Sequence, residues 1–149
     1  MQLLNLPTYK FKIKSSENKY FIFDIVRKKY VSLTPEEWVR QHIIHYLIEE
    51  KKYPISLIAI EKQLTINKLT KRTDILVFNT DGLPHIIVEC KSPSVKITQE
   101  SFDQIARYNL KLEATYLLVT NGLEHFHCYM DTIKEQYIFL ESIPNYTHD

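Results

Sequence analysis

Apolar and polar positions along this chain change their period several times, and each change marks an element. Over residues 9–13 Tyr9, Phe11 and Ile13 alternate with Lys10 and Lys12, and a β-branched and aromatic run resumes over 20–26. The polar stretch Ser15-Ser16-Glu17-Asn18 lies between them, so a hairpin is expected. Thr34-Pro35-Glu36-Glu37 then reads as a helix start: Thr34 at the N-cap, Pro35 at the first helical position, and acids in the first turn, with Glu37 placed for a capping box. The helix should reach Glu50 or Lys52, ahead of Tyr53-Pro54.

A strand is expected over 57–66, and two apolar runs over 75–78 and 85–88 flank Asp81-Gly82, a dipeptide suited to a tight hairpin turn. Ser92-Pro93-Ser94 breaks that strand, and Thr98 opens a second helix reaching about Leu112. Strands over 114–120 and 126–130 surround Asn121-Gly122, a short strand occupies 137–140, and a frayed tail is expected over 145–149. The order of elements predicts an α+β protein: one mixed central sheet flanked by helices, with an extra N-terminal hairpin over 9–33.

Length adds that a single domain spans 1–149, with its core over about 30–130. With 44% hydrophobic and 25% charged residues, and no apolar run near the roughly 20 residues of a membrane span, a soluble protein is expected. The opening residues lack a secretory pattern, which predicts a cytoplasmic location. Cys90 and Cys128 follow no metal or redox spacing and are expected to be reduced, packed thiols. Net charge is only +1, yet residues 1–33 carry seven basic side chains against Glu17 and Asp24, while 99–149 carry three against eight acids. The basic set, Lys10, Lys12, Lys14, Lys19, Arg27, Lys28 and Lys29, is either a solvated strand surface or an electrostatic footprint for a phosphate backbone.

The candidate chemistry sits at the second hairpin. A register centred on Asp81-Gly82 sets Asp74 directly opposite Glu89, with Cβ atoms about 5 Å apart. Lys91 shares the parity of Glu89 and emerges on the same face. Like charges so placed call for a cation between them, and carboxylate oxygens suit Mg2+ or Mn2+. A lysine beside such an ion can orient or help deprotonate an attacking water and stabilise a negative transition state.

The pair Thr73-Asp74 followed by Glu89-Cys90-Lys91 resembles the PD-(D/E)XK nuclease superfamily. The wider segments T-P-E-E-W-V-R-Q, K-R-T-D-I-L-V-F, I-V-E-C-K-S-P, Q-I-A-R-Y-N and V-T-N-G resemble the N-terminal nuclease domain of type I restriction enzyme R subunits and its stand-alone relatives, over about 30–130. Threonine stands where that pattern has proline before Asp74. The resemblance implies a restriction-endonuclease-like core and a metal-dependent deoxyribonuclease. Metal ligands would be the side chains of Asp74 and Glu89 and the backbone carbonyl of Cys90, binding Mg2+ with Mn2+ as a substitute, and Lys91 would be the catalytic lysine.

An acid of the first helix often joins such sites. At 100° per residue Glu36 falls at the centre of the arc of Val39, Ile43 and Leu47, so Glu36 is expected to point inward to the metal and Glu37 to serve the cap; Arg40, one turn on, can pair with Glu36. On the second helix Gln104 and Tyr108 share a face beside the stripe Phe102, Ile105, Asn109, Leu112. They resemble the Q-x-x-x-Y element of R-subunit nucleases, which implies a role for Gln104 in cleavage and for Tyr108 in DNA contact. Arg72 has the parity to meet a phosphate, although it would then lie opposite Lys91, so pairing should end or twist there. His125 and His127 are expected on the solvated face of a strand, because no second cluster completes a zinc site.

The leading expectation is therefore a nuclease acting on DNA. The rival is a DNA-binding or assembly module that keeps the fold without cutting. No phosphate-binding G-x-x-x-x-G-K-[S/T] motif exists, which implies that a motor, and the choice of where to cut, come from partner restriction subunits, or else that a homodimer or unspecific cutting is used.

Overall fold

The protein is described by a computed structural model over residues 1–147. Strands β1 (Ile13–Ser16), β2 (Lys19–Asp24) and β3 (Lys29–Ser32) form an antiparallel sheet in the order β1-β2-β3. Glu17 and Asn18 join the first two with φ of 51° and 64°, as a two-residue primed turn requires. The first strand thus begins later than the alternation from Tyr9 suggests, and the hairpin gains a third strand. Tyr9 and Phe11 pack on a helix instead: the Phe11 ring lies 5.1 Å from Trp38 and 4.8 Å from His42.

That helix, α1 (Pro35–Glu49), starts at Thr34, whose hydroxyl accepts the N–H of Glu37 at 3.0 Å. The capping box is only half made, since the Glu37 carboxylate turns to arginines rather than back to the cap. A single 3-10 turn leads into β4 (Ile58–Ile60). The long strand expected over 57–66 is broken at Glu61, which sits at φ 53°. Beyond it β5 (Gln63–Ile66) and β6 (Leu69–Arg72) make a separate two-stranded ribbon across Asn67 and Lys68.

The central sheet combines β4 with β7 (Ile75–Phe78), β8 (Pro84–Cys90), β9 (Tyr116–Thr120), β10 (His125–Asp131) and β11 (Gln136–Leu140), in the order β11-β10-β9-β8-β7-β4. Only β8 and β9 run parallel, joined across α2 (Gln99–Leu110). Helix α2 starts with a reciprocal box between Thr98 and Ser101. Among the described residues no helix is long and apolar enough to cross a membrane. The architecture is the expected α+β one, with a mixed sheet between two helices.

Both faces of the middle strands are covered, which explains their unbroken apolar runs. Ile86, Val88 and Cys90 of β8 pack with Val39, Ile43, Ile44 and Leu47 of α1. Ile87 points the other way, to a cluster containing Phe102 and Ala106 of α2. Ile86, Ile87 and Val88 are each fully buried, and such burial contributes about 1.5–3 kcal/mol per side chain. Both cysteines are free and buried, as expected.

The 145–149 tail differs from expectation where it is described. Tyr146 N–H donates to the Lys51 carbonyl at 2.8 Å, and the Tyr53 hydroxyl to that of Pro144 at 2.8 Å, so the chain is held to the end of α1. His148 and Asp149 lie outside the described residues.

Candidate functional site

The hairpin carrying the two acids keeps the expected register where it matters: Ile75 pairs with Val88, Leu76 with Ile87 and Val77 with Ile86. Its loop is wider than a two-residue turn, because a bulge at Val77/Phe78 shifts the pairing to Phe78 opposite Pro84. Asn79 closes the loop, its side chain accepting the N–H groups of Asp81 and Leu83 at 2.9 and 3.0 Å, while Gly82 takes φ 80°.

Asp74 lies one residue outside β7 and is fixed from both sides. Its Oδ2 accepts the N–H of Cys90 at 2.8 Å and its Oδ1 accepts from Arg40 at 3.2 Å. The preceding Thr73, fully within the protein, donates both its N–H and its hydroxyl to the Lys62 carbonyl, at 2.9 and 2.8 Å. A proline there could donate neither bond. This anchor sets the chain entering Asp74, so the departure from the superfamily's usual proline is structurally compensated.

Glu89 is only 6% exposed, and it faces the α2 layer. Its Oε1 receives the ammonium of Lys71 and the Asn109 side-chain amide, the latter at 3.4 Å. Lys71 comes from β6, where Leu69 and the cross-strand Leu64 share its face and pack towards α2. Its Nζ stands 5.0 Å from the centre of the Tyr108 ring, and the Tyr108 hydroxyl donates to the Thr70 carbonyl at 3.2 Å. Burial pushes the Lys71 pKa below its ordinary value; the Asp74 charge opposes this and the Lys91 charge adds to it. Lys91 follows directly on β8, and its backbone N–H donates to the Thr120 carbonyl at 2.8 Å.

On the α1 side a connected ion network leads up to Asp74. Arg40 binds Glu37 and Glu61 at 2.9 Å each, besides Asp74. Arg27 binds Asp24 at 2.8 Å and Glu37 at 3.2 Å, and Gln41 donates to Asp24 and Glu37 at 2.9 and 3.0 Å. The acids outweigh the cost of burying Arg40 and hold its guanidinium protonated. Burial pushes the Cys90 thiol pKa up, with the Asp74 charge adding to it, so it stays neutral.

Three sequence expectations need correction. Glu37, not Glu36, is the inward acid: Glu37 is 7% exposed and Glu36 points outward, 3.8 Å from Arg40. The buried face of α1 includes Glu37, Arg40, Gln41 and Ile44 as well as the apolar arc, so a face drawn from apolar residues alone is centred wrongly. As expected, β7–β8 pairing ends at Ile75 and Val88, before Arg72 could oppose Lys91, but Arg72 is not free to meet a phosphate. It pairs with Gln63 in the β5–β6 ribbon and its guanidinium binds Glu61. Nor are the histidines a solvated face: His127 accepts the Ile143 N–H at 3.1 Å, with its pKa pushed down to about 4 by burial, and His125 engages Thr120 and the Asn5 carbonyl.

A family described as Type I restriction enzyme R protein N terminus (HSDR_N) matches residues 35–144. The chain belongs to this family. The match starts at the first residue of α1, so β1–β3 lie outside it. The crystal structure of "a putative nuclease belonging to DUF820" from Anabaena variabilis ATCC 29413 has a TM-score of 0.50 and 13% identity, covering 92% of this chain and 80% of that chain. That likeness speaks for the restriction-endonuclease-like fold. No curated protein matches.

In this R-protein N-terminal domain Asp74, Glu89 and Lys91 stand at one end of the β7–β8 pair, Asp74 bonded on the α1 side and Glu89 on the α2 side, where Lys71 also meets the Tyr108 ring. Gln104 is exposed on α2, in a surface groove with Gln99, Asp103 and Arg107, and is not in contact with the acids. Among the described residues no three histidine, cysteine or carboxylate side chains converge on a point. A closed zinc-type cage is therefore not what these residues form. Mg2+ keeps several waters and needs only one or two protein carboxylates; Asp74 and Glu89 are the carboxylates here, each engaged by a protein cation.

Lys71 and Asn109 are the site residues that sequence reading missed, and Arg40, expected as a partner of Glu36, also binds Asp74. The signal for Lys71 was its parity with Leu69, which puts it on the apolar side of a strand. For Asn109 it was a polar residue within an apolar stripe, which needs a buried partner.

Proposed function

We propose that this domain hydrolyses phosphodiester bonds in DNA with the help of Mg2+ or Mn2+. The observation that carries the reading is the lock between the two halves of the motif: the Asp74 carboxylate accepts the Cys90 N–H, the residue between Glu89 and Lys91. Asp74, Glu89 and the Cys90 carbonyl would hold the ion, which when bound would offset phosphate charge and acidify a water. Lys91 would orient that water and meet the charge developing on the scissile phosphate. Arg40 and Lys71 hold the two acids in place as positioning residues, and Tyr108 lines the DNA path. The Gln104 side chain would reach DNA only as the duplex lies along α2, and Arg72 would face a phosphate only by leaving Glu61.

The experiment is incubation of supercoiled and linear DNA with wild type, Lys91→Ala and Asp74→Ala, in Mg2+, Mn2+ and chelator. Metal-dependent nicking present in wild type and lost in both variants is the expected result. One observation favours a second reading, the non-cleaving binding or assembly module: each acid already has a protein cation as partner. Wild type that binds DNA with a steep salt dependence and never nicks it would establish that module and sink the nuclease. Whether partner restriction subunits or a second copy direct the cut is read from the same assay with and without the partners.

A further inference from the structure

The β1–β3 sheet puts Lys12, Lys14 and Lys19 on one face, while Lys29 lies on the other beside Asp24. Cross-strand partners share a face, so Lys14, Phe21 and Ser32 form one row, Phe23 and Tyr30 a second, and Ser16 and Lys19 a third. The Phe23 N–H donates to the Lys12 carbonyl at 2.8 Å, which extends the second row to Lys12. The opposite face carries Ile22 and Asp24, both completely buried, and Asp24 is bonded to Gln41 of α1. The lysine rows therefore point away from the protein.

Among the described residues no carboxylate stands on that outer face and Lys12, Lys14 and Lys19 make no ion pair. Two of the ammonium groups rest on rings instead: Lys14 Nζ is 4.2 Å from the centre of Tyr30, and Lys12 Nζ 5.5 Å from that of Phe23. The two rings meet edge to face at 5.3 Å. Cations parked on aromatic rings keep their charge unneutralised and their positions defined.

We infer that this face is a docking surface for the phosphate backbone of double-stranded DNA. Charge complementarity points to a polyanion, and the inference rests on the DNA reading of the site above. Phe21 and Phe23 are only half-exposed, covered by each other's rows and by lysine, so they offer no open platform for unstacked bases; a duplex backbone fits the face better than a single strand. The face is also tied to the catalytic end of the molecule. Asp24 at the end of β2 binds Arg27, Arg27 binds Glu37, and Glu37 binds Arg40, the partner of Asp74. Because β1–β3 precede the family-matched residues, this surface adds to the family core a grip that does not depend on it.

The test is fluorescence anisotropy of a labelled DNA duplex of about 30 base pairs in chelator, over a salt series, so that no cutting occurs. Each phosphate contact removed lowers the slope of log affinity against log salt by about 1. The triple variant Lys12→Gln, Lys14→Gln, Lys19→Gln should lose up to about 3 in slope and bind at least about ten-fold more weakly near 0.1 M salt. The Lys→Arg triple should bind as wild type does, which separates charge from misfolding. A control with equal charge loss, Lys52→Gln, Lys111→Gln, Lys134→Gln, should bind nearly as wild type. Unchanged slope in the outer-face variant, equal loss in the control, or tighter binding of an RNA duplex of the same length overturns the inference. If wild type nicks DNA while the outer-face variant binds normally, the inference fails and the nuclease stands. If the face binds DNA and wild type never nicks, the nuclease fails and the inference stands.

Discussion

The two acids of the site are held by different kinds of structure. Asp74 is reached from the α1 side by Arg40, itself shared with Glu37 and Glu61 and backed by Arg27 and Gln41. Glu89 is reached from the α2 side by one flexible ammonium, Lys71, on a ribbon that belongs to no larger sheet. A planar guanidinium bonded to several carboxylates has little freedom left, whereas a lysine on a four-carbon stem can leave its partner. The Asp74 half is therefore the more constrained of the two, while Glu89 relies on a freer cation and the Asn109 amide.

The largest effect should come from Arg40→Ala, which removes a buried guanidinium shared by Glu37, Glu61 and Asp74 and leaves Asp74 without its side-chain cation. Breaking a buried pair from one side costs about 3–5 kcal/mol, and chemical denaturation should show it; a loss below about 1 kcal/mol would mean the network is not what holds α1. Lys71→Met keeps the stem over Tyr108 but leaves the Glu89 carboxylate without its cation. About 1–3 kcal/mol should be lost, and adding Glu89→Gln should restore most of it. Failure of that rescue would break the contrast drawn here.

The third prediction concerns acid. Burial pushes Asp24 up, but hydrogen bonds from the Arg27 backbone and side chain and from Gln41 more than reverse it and leave its pKa below the ordinary 3.8. Burial likewise pushes Glu61 up, and Arg40 and Arg72 bring it below the ordinary 4.5. A lowered folded-state pKa means the unfolded chain binds the proton first, so this stabilisation is complete at neutral pH and is lost as pH falls below about 4.5 and through the folded values. Melting temperature should drop steeply there in wild type and less steeply in Asp24→Asn; parallel curves would remove Asp24 from the account. The smallest effect should be Tyr108→Phe, which removes a partly exposed hydroxyl bonded to Thr70 and costs about 0.5 kcal/mol.

Most of the fold was legible because the strongest signals were local. Thr34-Pro35 and Thr98 start helices where side-chain oxygens cap them. The middle strands are apolar throughout because both faces are covered. The register of Ile75 with Val88, next to the two acids, followed from Asp81-Gly82, and the bulge next to Phe78 widens the loop without disturbing it. The family resemblance proved sound over α1 to the end of β11. What stayed hidden depends on contacts between elements. Glu36 and Glu37 exchanged roles because buried Arg40 and Gln41 look polar in sequence yet face inward. The parity of Lys71 with Leu69 marks its face but not its partner, because β6 pairs only with β5 among the described residues, in a ribbon whose placement over α2 no periodicity reports.

One contact made far apart in sequence bears on how the chain is born. At Gly122, with φ 87°, an added Cβ would come within 2.9 Å of Leu4 and 3.0 Å of Val39. The Asn5 N–H also donates to the Gly122 carbonyl at 2.8 Å. Residues near position 4 thus complete their seat, begun on Trp38 of α1, only when those near 122 emerge from the ribosome, a wait on the order of 6–24 s at about 5–20 residues per second. Until then the N-terminal segment has α1 alone to rest on.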